Sequence, residues 1–308
     1  MIETKNLCKR FGTLAALDDL NLRIEPGDIY GYIGPNGAGK STTMKILATL
    51  LEPTSGTASV CGYDVRMEGS KIRPLVGYMP DYIGVYDDLN VHEYLSFFAA
   101  AFKIPRRDRD KVVEGVLELT DLTGKKFALV DSLSRGMKQR LGIARVLVHD
   151  PKVLLLDEPA SGLDPRARIE IRELLKELKR MGKTILVSSH ILSELHEMCN
   201  KIGIIEKGKL IFSGTFEEIH QKLGTQARVR VTVEGPTEPA INVLKGLPGV
   251  DQVDRAEQEI ALTFKPGFRS DGAVAAALVQ AGIPVLALVP EQMKLEEAFL
   301  RITQGAVQ

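Results

Sequence analysis

The chain has 308 residues, and its 40 basic and 40 acidic side chains give no formal net charge at pH 7. That balance argues against nonspecific nucleic-acid binding, which needs a basic surface, so we expect no nucleic acid among the partners. The longest apolar stretch, 273–289, is shorter than the roughly 20 residues of a membrane span, and any membrane association is therefore expected to go through a partner.

The first predicted elements are strands at 1–7, 20–24 and 29–33, and the last of these leads into a glycine-rich segment. Residues 34–42 read GPNGAGKST and fit the phosphate-binding loop pattern G-x-x-x-x-G-K-[ST]. A helix is predicted at 42–51, so the segment has the strand–loop–helix context that such a loop requires. A glycine-rich turn without a ligand is the alternative interpretation, and this context argues against it.

The residue types of this loop explain its chemistry. Glycines let successive backbone N–H groups point at phosphate oxygens. Lys40 would reach the β- and γ-phosphates, and the Ser41 hydroxyl would be a ligand for Mg²⁺. We expect a phosphate site formed by Gly34, Asn36, Gly37, Ala38, Gly39, Lys40, Ser41 and Thr42.

After strands at 58–60 and 75–78, the chain is predicted to be mostly helical over 90–148. Asn90 and Glu93 have the spacing of a capping box at the start of the first helix. Ser134, within the segment LSRGM, is placed to cap a later helix. A helix N-terminus with a hydroxyl and glycine N–H groups suits phosphate, although this motif alone is better explained as an ordinary capped helix.

A buried strand at 153–156 ends in two carboxylates, Asp157 and Glu158. Such a strand delivers Asp157 to a Mg²⁺ site, and Glu158 can orient an attacking water. Further elements are predicted at 166–181 (helix), 184–188 (strand) and 201–212 (hairpin). Strands that alternate with helices indicate a mainly parallel α/β sheet.

A domain boundary is predicted near residue 224. The remainder alternates in the order β-α-β-β-α-β-α, which is the pattern of a small α+β domain. The predicted elements are 227–233, 240–247, 250–256, 259–264, 272–281, 285–289 and 295–304.

Together these motifs resemble the nucleotide-binding subunit of ATP-binding cassette (ABC) transporters over about residues 1–220. The matching segments are 34–42, 133–137, 153–158, 161–164 and His190 after the strand at 184–188. The resemblance implies an α/β P-loop ATPase with a RecA-like core, an N-terminal antiparallel β-subdomain and a helical subdomain at about 82–148. The expected domains are an ABC ATPase at 1–224 and a C-terminal accessory α+β domain at 225–308.

The resemblance implies ATP and Mg²⁺ as cofactors and ATP hydrolysis as the activity. Lys40 would act on the phosphates, Glu158 as the general base and His190 as the sensor of the γ-phosphate. Phe11 would stack on adenine, because the family places an aromatic residue at that position.

The same resemblance implies that the site is shared between two chains. Ser134 and Gly136 would reach the ATP held by another copy, and Asp164 would link the two sites. The implied metal ligands are Ser41, Asp81 and Asp157.

Two positions depart from the family pattern. The family signature is usually L-S-G-G-Q, but Arg135 and Met137 replace a glycine and the glutamine here. Because Ser134 and Gly136 are kept, activity is still expected, with Arg135 adding a cation near the phosphates. Asp81 stands where the family commonly has a glutamine that contacts Mg²⁺ and senses the membrane subunit.

The segment 82–102 is rich in aromatic residues, and by resemblance it forms the groove that receives a cytoplasmic helix of a membrane partner. Tyr94 and Phe98 are expected in the core. Only Tyr82, Val85 or Tyr86 is expected to line the groove. The alternative is that all these rings pack the helical subdomain.

The tail segment LEEAFLRIT at 295–303 resembles the C-terminal domain of ATPases that serve bacterial ABC-2-type exporters. This domain would mediate dimerisation or regulate the ATPase. The alternative is that it only packs against the rest of the protein and has no function of its own. The expected partners are a membrane-spanning permease and a second ATP-binding subunit, in a homodimer or a heterodimer, on the cytoplasmic face of the membrane.

The alternative function is a soluble ABC ATPase that acts on nucleic acid, the ribosome or a protein complex. Such proteins usually carry two cassettes or a long coiled-coil insertion. Ser134 follows Lys40 by 94 residues, which leaves no room for a coiled coil.

Overall fold

The computed structural model describes residues 1–82, 84, 88–222, 228–256, 259–265, 268 and 271–291. The chain divides into two units, Met1–Phe216 and Glu217–Gln308. Up to residue 222 the strands are β1 (Ile2–Phe11), β2 (Leu14–Leu20), β3 (Arg23–Ile24), β4 (Ile29–Ile33), β5 (Ser55–Val60), β6 (Tyr63–Asp64), β7 (Val76–Met79), β8 (Val153–Leu156), β9 (Thr184–Ser189), β10 (Lys201–Glu206) and β11 (Lys209–Gly214). The helices are α1 (Lys40–Leu47), α2 (Gly69–Ile72), α3 (Val91–Ala101), α4 (Arg106–Leu119), α5 (Arg135–Leu147), α6 (Pro165–Arg180), α7 (Leu192–His196) and α8 (Phe216–Lys222).

A six-stranded sheet with the order β11-β10-β4-β9-β8-β7 carries the predicted motifs. Its strands pair in parallel except for β11, which runs antiparallel to β10 at the edge. All residues of β4, β8 and β9 are buried, as expected for parallel strands that are covered on both faces. The predicted mainly parallel α/β sheet is confirmed.

The carboxyl ends of neighbouring strands meet at one edge of this sheet, where α/β proteins bind their ligands. The phosphate loop follows β4, the two carboxylates follow β8, and His190 follows β9. Because β9 lies between β4 and β8, three motifs that are far apart in sequence become neighbours.

The N-terminal strands form an antiparallel sheet with the order β2-β1-β5-β6, and β3 pairs with β1. Its buried side chains join those of the parallel sheet in one hydrophobic cluster, which includes Leu7, Leu20, Tyr32 and Leu186. The strand predicted at 1–7 continues to Phe11. The sequence obscures this extension because the end of β1 is exposed and carries Lys9 and Arg10.

The helices α3, α4 and α5 pack together. The capping box at the start of α3 is confirmed: the Glu93 N–H donates to Asn90 Oδ1, and the Asn90 N–H donates to Glu93 Oε2, both at 2.9 Å. Tyr94 is fully buried, as expected. None of the helices in the described ranges is long and apolar enough to span a membrane.

The second unit contains β12 (Arg228–Val233), α9 (Thr237–Lys245), β13 (Val250–Ala256), β14 (Glu259–Phe264), α10 (Asp271–Gln280) and β15 (Val285–Glu291). The strands form an antiparallel sheet in the order β13-β14-β12-β15. Side chains from strands and helices share one core, including Val231, Leu262, Leu244 and Leu278. The small α+β domain is confirmed, while the helix predicted at 295–304 lies outside the described residues.

Candidate functional site

The phosphate loop connects β4 to α1, and Lys40 is the first residue of that helix. Lys40 is only 6% exposed. Its Nζ donates hydrogen bonds to the carbonyl oxygens of Gly34 at 2.6 Å and Pro35 at 3.3 Å. The ammonium group is therefore held against the backbone of its own loop. Of the other predicted phosphate ligands, the exposed ones are Asn36, Gly37 and Ser41, the half-buried one is Thr42, and the buried ones are Gly34, Ala38 and Gly39.

One serine of β9 holds the Asp157 carboxylate and the backbone of Glu158 at the end of β8. The Ser188 hydroxyl donates to Asp157 Oδ1 at 2.7 Å and accepts the backbone N–H of Glu158 at 2.9 Å. Asp157 is 3% exposed and Ser188 is fully buried, so water does not compete with these bonds. Glu158 has a φ of +51°, a left-handed conformation that non-glycine residues adopt infrequently. Ser188 thus fixes a turn that would otherwise be poorly populated.

Glu158 joins the phosphate loop to His190. Its Oε1 lies 3.5 Å from Lys40 Nζ, and its Oε2 lies 2.8 Å from His190 Nδ1. The Glu158 side chain is 13% exposed, whereas that of His190 is 49% exposed. The structure therefore brings the three predicted catalytic residues together, with the carboxylate between two potential cations.

The predicted metal ligands supply hard oxygen atoms, which Mg²⁺ prefers. Burial and the neighbouring carboxylates of Asp157 and Glu158 raise the pKa of Asp81, while Arg135 and His190 lower it. Asp81 thus senses the charges of the acidic pair, although only a minor part of it is buried and the residue as a whole is exposed.

Within the described ranges, no three His, Cys, Asp or Glu side chains are arranged to hold a metal by themselves. A cation here would therefore also take the Ser41 hydroxyl, water and phosphate oxygens, which fits the way Mg²⁺ binds with nucleotides.

The signature residues lie at the exposed start of α5. Ser134 caps this helix, since its hydroxyl accepts the Met137 N–H at 3.3 Å. Ser134 is exposed and Gly136 is half-buried. The Arg135 guanidinium donates to the carbonyl oxygen of Ser161 at 3.0 Å, so this cation binds a loop of its own chain.

Phe11 ends β1 and is 50% exposed. Lys9 Nζ lies 5.0 Å from the centre of its ring, a distance typical of a cation–π contact. The ring is thus only partly accessible, with an ammonium group over it, and the stacking role stays a prediction.

An apolar groove of about 290 Å³ lies between the end of α1 and the helices α3 and α5. Its lining, called the helical groove below, comprises Ala48, Leu50, Arg73, Val76, Tyr78, Phe98, Phe102, Arg145, Val146 and His149. The expectation that Phe98 is a core residue was wrong: it is half-buried and lines this groove. Tyr82 is 84% exposed and does not line it, and Val85 and Tyr86 lie outside the described residues.

Sequence reasoning missed Ser188 as a functional residue. The only local signal was a hydroxyl near the carboxyl end of the strand, after the apolar run 185–187 and two residues before His190. Its contacts with Asp157 and Glu158 depend on the pairing of β8 with β9, which no local pattern shows.

Comparisons with known proteins show the family and the fold of the chain. The model of the family described as ABC transporter matches residues 17–161. The linearmycin resistance ATP-binding protein LnrL of Bacillus subtilis is 31% identical over 306 residues, which cover 98% of each chain. The Nod factor export ATP-binding protein I of Burkholderia lata is 41% identical over 213 residues, covering 69% of this chain and 70% of that protein.

A solved structure shows the same fold. It is a dimeric ATP-binding cassette in a post-hydrolysis state bound to ADP and Pi, with a TM-score of 0.64 and 27% identity. The match covers 70% of this chain and 98% of that chain.

Ser188→Ala is expected to lower kcat for ATP hydrolysis about tenfold to a hundredfold, because it removes the hydroxyl that orients the Asp157 carboxylate and fixes the backbone of Glu158. Ser188→Cys keeps the volume but supplies only a weak hydrogen-bond donor, and it should behave like the alanine variant. Steady-state phosphate release with purified protein measures the effect, and circular dichroism controls for folding. A kcat within twofold of wild type in both folded variants would contradict the assignment.

Proposed function

The chain belongs to the ATP-binding proteins of ABC transporters, and from this membership we propose that it is one of two such subunits that close around ATP to drive a membrane-spanning permease. It binds ATP and is an ATPase. The observation that supports ATP hydrolysis as the driving reaction is the Glu158 carboxylate, held between Lys40 of the phosphate loop and His190.

This arrangement supports hydrolysis by in-line attack of water. Lys40 would bind the β- and γ-phosphates and offset their charge. Glu158 would orient the water and accept its proton as the water oxygen bonds to the γ-phosphorus and the bond to the ADP oxygen breaks. His190 would contact the γ-phosphate, and its Nδ1 would keep the Glu158 carboxylate oriented. Ser41, Asp157 and Asp81 would hold a Mg²⁺ ion that neutralises phosphate charge.

Exposure of the signature supports a shared site. Ser134 and Gly136 stand at the N-terminus of α5, where backbone N–H groups and the helix dipole favour an anion. In a dimer these groups would meet the ATP of the other chain, and the pairing itself is supported by a similar solved cassette that is dimeric and bound to ADP and Pi. ATP would then favour closure because it binds the closed pair more tightly than the separate chains.

The helical groove is proposed as the docking site for a cytoplasmic helix of the permease. Leu50 and Phe102 expose apolar surface at 63% and 41%, which is typical of an interaction site. Arg73 and Arg145 line the groove and make no ion pair with any carboxylate in the described part of the chain. The proposed occupant is therefore an amphipathic helix with apolar anchors and an acidic residue.

Two polar atoms of the groove-lining residues are buried within the chain itself, so a docked helix would not reach them in this conformation. The Tyr78 hydroxyl and His149 Nδ1 have no hydrogen-bond partner among the described residues. Burial, with the charges of Asp157 and Asp81, raises the pKa of Tyr78 to about 12, so this hydroxyl remains a donor. Burial lowers the pKa of His149, and its Nε2 lies 3.1 Å from the Val76 carbonyl oxygen, so a neutral ring leaves Nδ1 as an acceptor.

Export is the proposed direction of transport, and the cytoplasmic face of the membrane the proposed location. The support comes from relatives whose names refer to linearmycin resistance and Nod factor export. The alternative, an ABC ATPase that acts on nucleic acid or the ribosome, is disfavoured by the zero net charge. Co-purification from membranes with a multi-span protein would support the permease, whereas capture of ribosomes or nucleic acid would support the alternative.

Glu158→Gln is expected to reduce ATP turnover at least about a hundredfold, because the amide cannot accept the proton of the attacking water. The variant should still bind ATP and should accumulate as an ATP-bound dimer. Phosphate release and light scattering with and without MgATP test both parts. Turnover near the wild-type rate would contradict the role of Glu158 as the general base. A variant that stays monomeric at saturating ATP would contradict the proposal that two chains share the site.

Phe102→Ala is expected to weaken permease association about tenfold or more, since it removes an aromatic anchor from the helical groove. The matched control is Phe127→Ala, which truncates a ring that is 76% exposed and does not line the groove. Co-purification from detergent-solubilised membranes measures association, and the ATPase rate of the isolated chain should stay within twofold of wild type. Equal association of the two variants would contradict the docking site.

A further inference from the structure

The loop Ser161–Asp164, between the catalytic carboxylates and α6, is held by two arginines from different elements. Arg135 at the head of α5 donates from Nη2 to the Ser161 carbonyl oxygen at 3.0 Å. Arg168 of α6 donates from Nε to the Leu163 carbonyl oxygen at 2.9 Å. Hydrogen bonds from a charged donor are stronger than neutral ones, so these two bonds restrain successive turns of the loop.

Gly162 shows how closely Arg135 lies against this loop. Its φ is +65°, and a Cβ at this position would lie 2.4 Å from Arg135 Nη2. Only glycine therefore permits the guanidinium to lie against the backbone here. The Arg135 side chain thus contacts the 161–164 loop of its own chain both by packing against Gly162 and by a hydrogen bond.

Arg168 continues the connection toward His190. Its Nη1 lies 3.2 Å from Glu194 Oε1, and the Glu194 side chain is only 13% exposed. The Ser189 hydroxyl donates to Glu194 Oε2 at 3.1 Å. Because Ser189 immediately precedes His190, the loop is tied to the strand end that carries the γ-phosphate sensor.

We propose that Arg135 and Arg168 are positioning residues that clamp the 161–164 loop, and through it link the signature at the head of α5 to His190 of the same chain. The functional consequence rests on the proposed shared site. The signature would serve the ATP of the second subunit, whereas His190 serves the chain's own ATP. The clamp would therefore fix the position of the signature relative to His190, so that the parts of one chain that serve two different ATP molecules keep a constant geometry.

The chain offers a graded set of variants for a test. Arg135→Gly restores the usual family residue and removes one bond, and Arg168→Ala removes the other. Arg168→Lys keeps a cation near Glu194 but loses the planar donor to the Leu163 carbonyl oxygen. Arg166→Ala is the matched control, because Arg166 is on the same helix, has a 90% exposed side chain and pairs with Glu170.

Hydrogen–deuterium exchange of the purified chain without nucleotide measures how strongly the clamp restrains the 161–164 loop. The Ser161 N–H bonds the Glu158 carbonyl oxygen at 3.1 Å, and its opening reports on the loop. We expect exchange in a peptide covering 161–164 to be about tenfold faster in Arg135→Gly and Arg168→Ala, with Arg168→Lys in between. Exchange unchanged from the Arg166→Ala control would overturn the clamp.

Steady-state kinetics of ATP hydrolysis then measure what the clamp contributes to activity. We expect kcat to fall about tenfold in each single clamp variant while KM for MgATP stays within twofold. The double variant should lose less than the product of the two single losses, because both arginines hold one loop. Losses that multiply, or that appear mainly in KM, would overturn the shared positioning role. An inactive wild-type chain would instead refute the proposed function, and the exchange result would still decide the clamp.

Discussion

The parallel pairing of β4, β9 and β8 is the constraint on which the site depends. A parallel ladder aligns the carboxyl ends of its strands, so residues that follow each strand share one edge. Lys40, Glu158 and His190 come from three separate regions and meet only because β9 lies between the other two strands. The ladder also places Ser188 opposite the carboxylates, so backbone pairing sets the orientation of the acidic pair.

Sequence reasoning predicted the phosphate loop and the acidic strand end from local signals, a glycine pattern and an apolar run. His190 has no such signal of its own, and only the resemblance to the family pointed to it. The contacts of Ser188, Arg168 and Glu194 were not predictable, since they depend on which strands and helices become neighbours. Phe98 was misjudged for a related reason. Helical spacing shows that a side chain lies on the apolar face of its helix. It does not show whether a neighbouring element packs over that side chain or whether a groove remains beside it.

The two departures from the family pattern act on the same electrostatic environment. An acid at position 81 adds a carboxylate to the field of Asp157 and Glu158, and this repulsion contributes to the raised pKa of Asp81. Arg135 acts in the opposite sense on Asp81. A glutamine and a glycine would add neither charge, so the two substitutions together change the local net charge less than either one alone.

Lys40 illustrates how preorganisation divides free energy between folding and binding. Its ammonium group has already lost most of its hydration, and loop carbonyls replace water as its hydrogen-bond acceptors. The desolvation of this cation is therefore part of the folding equilibrium, where it reduces stability. In the proposed site, a phosphate that enters the loop would exchange carbonyl contacts for anionic ones and would strip little further water from the lysine, so more of that attraction would be available as binding affinity.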